Sequence, residues 1–307
     1  MGLVLDVEGL YVTYHTPDGG DIPAVRDLSF GLNEGEILGI VGESGSGKST
    51  LALALAGLLP RNAYVGAKKI VILNSNIDAA SLRKALEDLR GGVGIFMVFQ
   101  DPFSSLNPLI RIREQLAEAY ITRVKRTKGI RMSINDVDDG GELINYLKRV
   151  NIPDPEVTLY RYPHQLSGGQ IQRVMIAMAL ILEPRILIAD EPTTALDVIT
   201  QIQVLHELKK LVDDIRTSII FITHDIALAS TISDRLAVMY GGYFMEVGNT
   251  LDVLKEPLHP YTMGLVTSIP SKRKHEAIYP RLRVFMYLLS LRVAHSGQDA
   301  HILRRHV

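Results

Sequence analysis

The stretch "GESGSGKST", Gly42 to Thr50, constrains this chain more than any other. Glycines at 42, 45 and 47 keep Cβ atoms away from successive backbone N–H groups, so the loop can wrap an anion. The apolar run "EILGIVG" leads into it, and "KSTLALALAGLL" follows as a helix that stops near Gly57 and Pro60. Strand, glycine loop and helix in that order make a P-loop, with the positive end of the helix aimed at the phosphates. Lys48 then serves the β and γ oxygens of a nucleoside triphosphate, and the Ser49 hydroxyl serves a Mg2+ ion. A chance match would not be framed by a strand and a helix.

"RILIADEP" supplies the other side of such a site. A buried strand ending at Asp190 delivers a carboxylate beside the metal, usually through water. Glu191 follows, placed to polarise an attacking water. Taken alone, two acids before Pro192 and two threonines read as well as helix caps; the cradle upstream favours the catalytic reading.

The rest of the chain alternates strand and helix. "LDVEGLYVTY" and "AVRDLSFGLN" have period two around the turn "TPDGGD", and "GIFMVFQ" (94–100) reads as a further strand. From about Asp101 to Gln165 the pattern is helical and polar, with "IREQLAEAYITRVKR" and "GELINYLKRV" the clearest stretches. Then come a helix in "IQRVMIAMALIL", the strand "RILIAD", a helix in "TQIQVLHELKKLVDDI" and the strand "SIIFITHD". Short all-apolar strands separated by helices imply a parallel sheet covered on both faces. "DRLAVMYGGYFMEVG" reads as a closing hairpin around Gly241 and Gly242.

At 307 residues the chain has volume for one large domain or two modest ones. A net charge of -1 makes no electrostatic case for nucleic acid as a partner. With no cysteine, disulfides, thiolate metal sites and iron–sulfur clusters are excluded. The longest apolar runs, "LALALAGLL" and "VMIAMALIL", are about half the length that spans a bilayer. A chain of this kind works at a membrane only if another subunit holds it there. Residues 271–307 carry eight Lys or Arg against two acids with no long apolar face, and read as a basic C-terminal extension.

A second glycine loop lies at Leu166-Ser167-Gly168-Gly169-Gln170, ahead of "IQRVMIAMALIL". It sets a serine hydroxyl and backbone N–H groups at a helix N-terminus, where a phosphate is favoured. On this pentapeptide alone, a turn with a serine N-cap is the simpler reading. Its company changes that: P-loop, glutamine after a strand, this pentapeptide, Asp-Glu and a strand-end histidine follow in one order.

Over roughly residues 3 to 270 the sequence resembles the ATP-binding subunit of an ABC transporter. The resemblance implies an α/β P-loop NTPase fold: a mostly parallel RecA-like sheet, an N-terminal antiparallel β subdomain and a helical subdomain inserted at about 101–165. It implies ATP and Mg2+ as cofactors, and two ATPs sandwiched between two subunits facing head to tail. In that arrangement the P-loop, Gly42, Glu43, Ser44, Gly45, Ser46, Gly47, Lys48, Ser49 and Thr50, holds nucleotide in cis. Ser167, Gly168, Gly169 and Gln170 cap the γ-phosphate on the opposing subunit. Gln100 matches the glutamine that approaches Mg2+ and the attacking water, beside Ser49 and Asp190. Glu191 matches the catalytic base, Asp197 the loop that crosses the dimer interface, and His224 the switch histidine on the γ-phosphate. Tyr14 is assigned to stacking on adenine, with Tyr11 as the competitor and plain hairpin packing as the simpler alternative.

"FQDPFSSLNP" (99–108), "YPHQLSGG" (162–169) and "PLHPYTMGLVTSIP" (257–270) are similar to subunits of oligopeptide and dipeptide importers. Relatives of that subgroup import oligosaccharides, which stands as the alternative cargo; a soluble ABC ATPase outside transport is the more distant one. The partners implied are a second ATPase subunit, as heterodimer or homodimer, two integral permeases, and indirectly an extracytoplasmic binding protein. Nucleic acid is not among them. The implied location is peripheral, on the cytoplasmic face of the membrane. One departure stands out: many peptide-importer ATPases carry a cysteine-bearing region after the "SIP" segment, and this chain has no cysteine.

Overall fold

A computed structural model describes residues 2–77, 82–91, 93–137 and 139–269. The basic extension at 271–307 lies outside the described residues, so its reading stands as an expectation. The chain begins with two long antiparallel strands, β1 (Leu3–His15) and β2 (Asp21–Asn33), joined by the turn at Thr16 to Gly20. Three short strands extend this sheet: β4 (Ala63–Gly66), β5 (Lys69–Ile72) and β6 (Ser75–Asn76). They give the antiparallel β subdomain expected at the N-terminus.

The second sheet has six strands. β3 (Ile37–Val41), β7 (Ile95–Val98), β8 (Ile186–Asp190), β9 (Ser218–Thr223) and β10 (Arg235–Tyr240) run parallel, and β11 (Tyr243–Asn249) closes the edge against β10 in the predicted hairpin. The order is β11-β10-β3-β9-β8-β7. Every residue of β3, β8 and β9 is buried. Their side chains alternate between two apolar cores, as the pleat requires. Leu38, Ile40, Ile186, Ile188, Ile220 and Ile222 face a core shared with the antiparallel sheet and helix α1 (Lys48–Ala56). Ile37, Val41, Leu187, Ala189, Ile219 and Phe221 face the other core. That second core is covered by α6 (Gly168–Leu182) and α7 (Val198–Ile215), among others.

Between residues 101 and 165 the described regular structure is helical. It comprises α3 (Ile112–Lys128), α4 (Ile144–Arg149) and α5 (Pro155–Thr158), with short 3-10 and π turns between them. Ile112, Leu116 and Leu147 pack with Ile171 and Met175 of α6, tying this segment to the helix behind the second glycine loop. α2 (Leu82–Gly91) lies near α1, while α8 (Ile226–Ser230), α9 (Thr250–Lys255) and α10 (Pro260–Thr267) finish the described chain. Among the described residues no helix is long and apolar enough to cross a membrane.

Candidate functional site

β3 ends at Val41 and α1 begins at Lys48, so residues 42–47 form the loop expected to hold phosphate. Gly45 and Gly47 have φ of 81° and 103°, conformations that side chains rarely adopt. A Cβ on Gly47 would strike the Ala24 carbonyl oxygen, and one on Gly42 the Met239 carbonyl oxygen; backbone cannot yield as a flexible side chain can. Gly47 is also the N-cap of α1 and supplies no side-chain cap. The first-turn amides of α1 are thereby left for a bound anion.

Lys48 is only 6% exposed. Its Nζ donates to the carbonyl oxygens of Gly42 and Glu43, each at 2.7 Å, and to Ser46 Oγ at 3.2 Å. Burial holds its ammonium below the ordinary lysine range, against the pull of Glu191, Asp190 and Glu43. The lysine is clasped by its own loop, with donors it can transfer to phosphate oxygens.

Asp190, at the end of β8, is 3% exposed, and its Oδ1 has no hydrogen-bond partner. Burial raises its carboxyl from 3.8 to about 6; Ser49 draws it down, Glu191 pushes it further up and Lys48 opposes. An orphaned carboxylate oxygen beside a serine hydroxyl is the kind of donor set that a hard dication such as Mg2+ takes. The residues present fit that ion.

The next residue is a convergence point. Glu191 has φ 47°, an uncommon conformation for a residue with a Cβ, and its N–H donates to Ile222 C=O at 2.9 Å. Its Oε1 lies 3.1 Å from His224 Nδ1, and its Oε2 accepts from Gln100 Nε2 at 3.3 Å and from Thr194 Oγ1 at 3.0 Å. Gln100 follows β7, Glu191 follows β8 and His224 follows β9, so three adjacent parallel strands deliver them to one edge of the sheet. The carboxyl ends of such strands are where open α/β sheets bind ligands.

Tyr14 and Tyr11 separate cleanly. The Tyr14 hydroxyl is 3.2 Å from Thr50 Oγ1 on α1. Tyr11 is exposed, and its ring sits 5.9 Å from that of Tyr64. Of the two tyrosines, Tyr14 is the one joined to the phosphate loop's helix.

The second glycine loop is built as a helix start. Ser167 caps α6: its Oγ accepts from Gln170 N–H at 3.3 Å, and Gln170 Oε1 accepts from Ser167 N–H at 2.9 Å. The serine hydroxyl is therefore engaged as the N-cap that the pentapeptide taken alone suggests. Among the described hydrogen bonds, none uses the amide of Gly168 or Gly169. A Cβ on Gly169 would sit 2.8 Å from the Ala195 carbonyl oxygen, so glycine lets α6 approach the segment after Glu191. Asp197 caps α7, accepting from Thr200 N–H at 3.0 Å and Thr200 Oγ1 at 2.7 Å. The Thr200 amide, first among several donors, holds its carboxyl below the usual range.

Gln172 joins these parts, and motif reading missed it. It is 1% exposed; its Nε2 donates to Glu191 C=O at 2.9 Å, and its Oε1 accepts from Ala195 N–H at 3.2 Å. Its signal was a lone amide in a stretch of α6 where Ile171, Val174 and Met175 are all buried. Thr194, which touches the same carboxylate, lies in the "TTALD" stretch but was not singled out.

Comparison with known proteins agrees with this geometry. The family described as ABC transporter matches residues 25–194, and the one described as oligopeptide/dipeptide transporter, C-terminal region, matches 245–283. The oligopeptide transport ATP-binding protein OppD of Escherichia coli is 45% identical over 267 residues, covering 87% of this chain and 76% of that protein. The dipeptide transport ATP-binding protein DppD of Bacillus subtilis is 44% identical, covering 88% and 78%. Among solved structures, the dimeric ATP-binding cassette MJ0796 bound to ADP and Pi has a TM-score of 0.64 at 27% identity, covering 80% of this chain and 98% of that one. The structure of cbiO1 from Clostridium perfringens has a TM-score of 0.65 at 28% identity, covering 94% and 100%. With a P-loop, an Asp-Glu strand end and the second glycine loop on this fold, the chain belongs to the ATP-binding subunits of the ABC transporter family.

Proposed function

We propose that this chain is the ATP-hydrolysing subunit that powers an importer of oligopeptides and dipeptides. ATP hydrolysis is the activity of its family. The observation that carries the cargo is the joint match to oligopeptide and dipeptide transport proteins and to their C-terminal region. The oligosaccharide alternative gains no support from these relatives.

In this reading residues 42–50 hold ATP, and Lys48 exchanges its carbonyl partners for the β and γ oxygens. Glu191 takes a proton from the attacking water, with Gln100 and His224 orienting its carboxylate and the γ-phosphate. Ser49, Asp190 and Gln100 are the residues that would hold Mg2+, which when bound neutralises charge on the phosphoryl group. Tyr14 stacks on adenine. Ser167 to Gln170 complete the site on a second ATPase subunit, and Asp197 lies where the two meet. The dimeric MJ0796 cassette supports pairing as a property of this fold. A γ-phosphate shared between two subunits has different affinity for the closed and open pair, which is what lets a ligand drive the change. The remaining partners are two permeases and an extracytoplasmic binding protein, with this chain on the cytoplasmic face.

Uptake of labelled tri- and tetrapeptides by cells lacking this chain tests the cargo. Uptake is expected to return with the wild-type chain and not with Glu191→Gln. Normal peptide uptake in the deletion, with loss of oligosaccharide uptake, would reassign it.

A further inference from the structure

Lys48 clasps the carbonyls of Gly42 and Glu43. A phosphate it binds must take over at least one of these bonds, because an ammonium has three donors and the two carbonyls with Ser46 use all three. Something else must then keep the loop in shape. Two contacts from the far end of the chain are suited to that. The N–H of Gly242, in the β10–β11 turn, donates to the Ser46 carbonyl at 2.9 Å. The N–H of Glu43 donates to the Tyr261 hydroxyl at 3.1 Å, across 218 residues of sequence.

The position of Tyr261 is itself well determined. Glu246 on β11 accepts from the amides of Leu258 and His259, each at 3.0 Å, which fixes the approach to α10. His259 Nδ1 caps that helix by accepting from Tyr261 N–H at 3.1 Å. The Tyr261 ring lies 4.7 Å from that of Tyr240 at the end of β10, a tilted pair within ordinary aromatic contact. Burial pushes the phenol up, so it remains a neutral hydroxyl at physiological pH. All of these residues but Tyr240 lie in the stretch matched by the oligopeptide/dipeptide C-terminal family.

We propose that Tyr261 is a positioning residue for the phosphate loop: its hydroxyl holds the Glu43 amide, so the cradle keeps its shape when Lys48 turns from the loop to the nucleotide. Glu43 is thus held on both sides: its N–H from outside by Tyr261, and its C=O from within the loop by Lys48 and, at 3.2 Å, by the Ser46 N–H. Loss of the outer hold leaves Glu43 with only the 3.2 Å bond from the Ser46 N–H when Lys48 departs, so that end of the loop relaxes more easily. ATP binding weakens while the chemical step, which depends on Glu191, is spared. The C-terminal segment thereby sets nucleotide affinity. This inference rests on the ATP-binding reading above, and its test separates the two.

The test is Tyr261→Phe, which removes the hydroxyl and keeps the ring, in the full chain. KM for ATP is expected to rise about three- to tenfold, the range for one hydrogen bond, with kcat and Tm little changed. In nucleotide-free protein, amide hydrogen exchange in the peptide containing Glu43 is expected to speed up. A Leu265→Ala chain, which loosens α10 and leaves the hydroxyl, is expected to lower Tm with a smaller effect on KM. Unchanged KM together with unchanged exchange in Tyr261→Phe would overturn the proposal. So would a fall in kcat equal to the rise in KM. Faster exchange in Tyr261→Phe than in wild type, together with a wild-type chain that binds no ATP, would uphold the contact and sink the ATP reading instead.

Discussion

His224 Nδ1 stands 3.1 Å from Glu191 Oε1. A carboxylate only accepts, so Nδ1 carries the proton and the imidazole turns its other nitrogen away from Glu191. Gln100 and Thr194 donate to the second oxygen. The carboxylate is thus oriented from three sides.

Replacing Glu191 by Gln removes the proposed base but keeps the size. Nucleotide binding is expected to persist while phosphate release slows by about 10²–10⁴, the range for a positioned base. Titration with a labelled nucleotide and a phosphate-release assay separate the two effects; unchanged turnover would take Glu191 out of the chemistry.

Asp190 carries a stability cost with a definite sign. Its folded-state pKa of about 6 lies above the ordinary 3.8. The folded chain therefore holds this proton where the unfolded chain has lost it, and stability of the nucleotide-free protein falls as pH rises from about 4 to about 6. Asp190→Asn lifts that cost and is expected to stabilise the metal-free protein at pH 7 by up to about 3 kcal/mol, at 1.36 kcal/mol per pKa unit. Magnesium-dependent hydrolysis is expected to disappear in the same variant. Thermal unfolding in chelator at pH 4.5 and pH 7 checks the sign: the gap between wild type and variant should widen at the higher pH.

Tyr14 touches Thr50 and Tyr11 touches Tyr64. Tyr14→Ala is expected to weaken ATP binding about tenfold, the upper range for an aromatic stack, and Tyr11→Ala much less. Fluorescent-nucleotide titration of both variants gives the ranking, and the reverse order would move the adenine to Tyr11.

Gln172, itself buried, donates to the Glu191 carbonyl and accepts from the Ala195 amide. Gln172→Leu takes one donor from the Glu191 carbonyl, which keeps Thr194 N–H at 3.4 Å and Thr194 Oγ1 at 3.3 Å, and takes the acceptor from the Ala195 amide; it is expected to cost about 0.5–1.5 kcal/mol in stability. It is also expected to lower turnover by loosening the Glu191 turn. A melting curve unchanged from wild type would show those groups finding other partners.

Sequence pattern reveals the central sheet because β3, β8 and β9 are buried on both faces and read as unbroken apolar runs. The strands β4, β5 and β6 escape such a reading. They are four, four and two residues long, too short for a period to register. Pairing with β1, Tyr11 opposite Gly66 and Leu5 opposite Ile72, defines the first two instead. The helix α2 likewise went unmarked between turns. Within the site, Lys48, Gln100, Asp190, Glu191 and His224 are legible because each sits in a short motif at a strand end or loop. Contacts such as Gln172 with Glu191 and Tyr261 with Glu43 have no local signature, since packing alone brings them together.

The central claim is that one copy holds half of each reaction centre. The purified chain, alone and with its companion ATPase subunit, can be assayed for ATP turnover per molecule across a wide dilution series. Turnover is expected to fall on dilution, to recover on adding a companion, and to recover only in part when that companion carries a Ser→Arg change at its own position matching Ser167, which spoils one of the two shared sites. Full turnover per molecule from a strictly monomeric preparation at every dilution, unaffected by a companion, would contradict it.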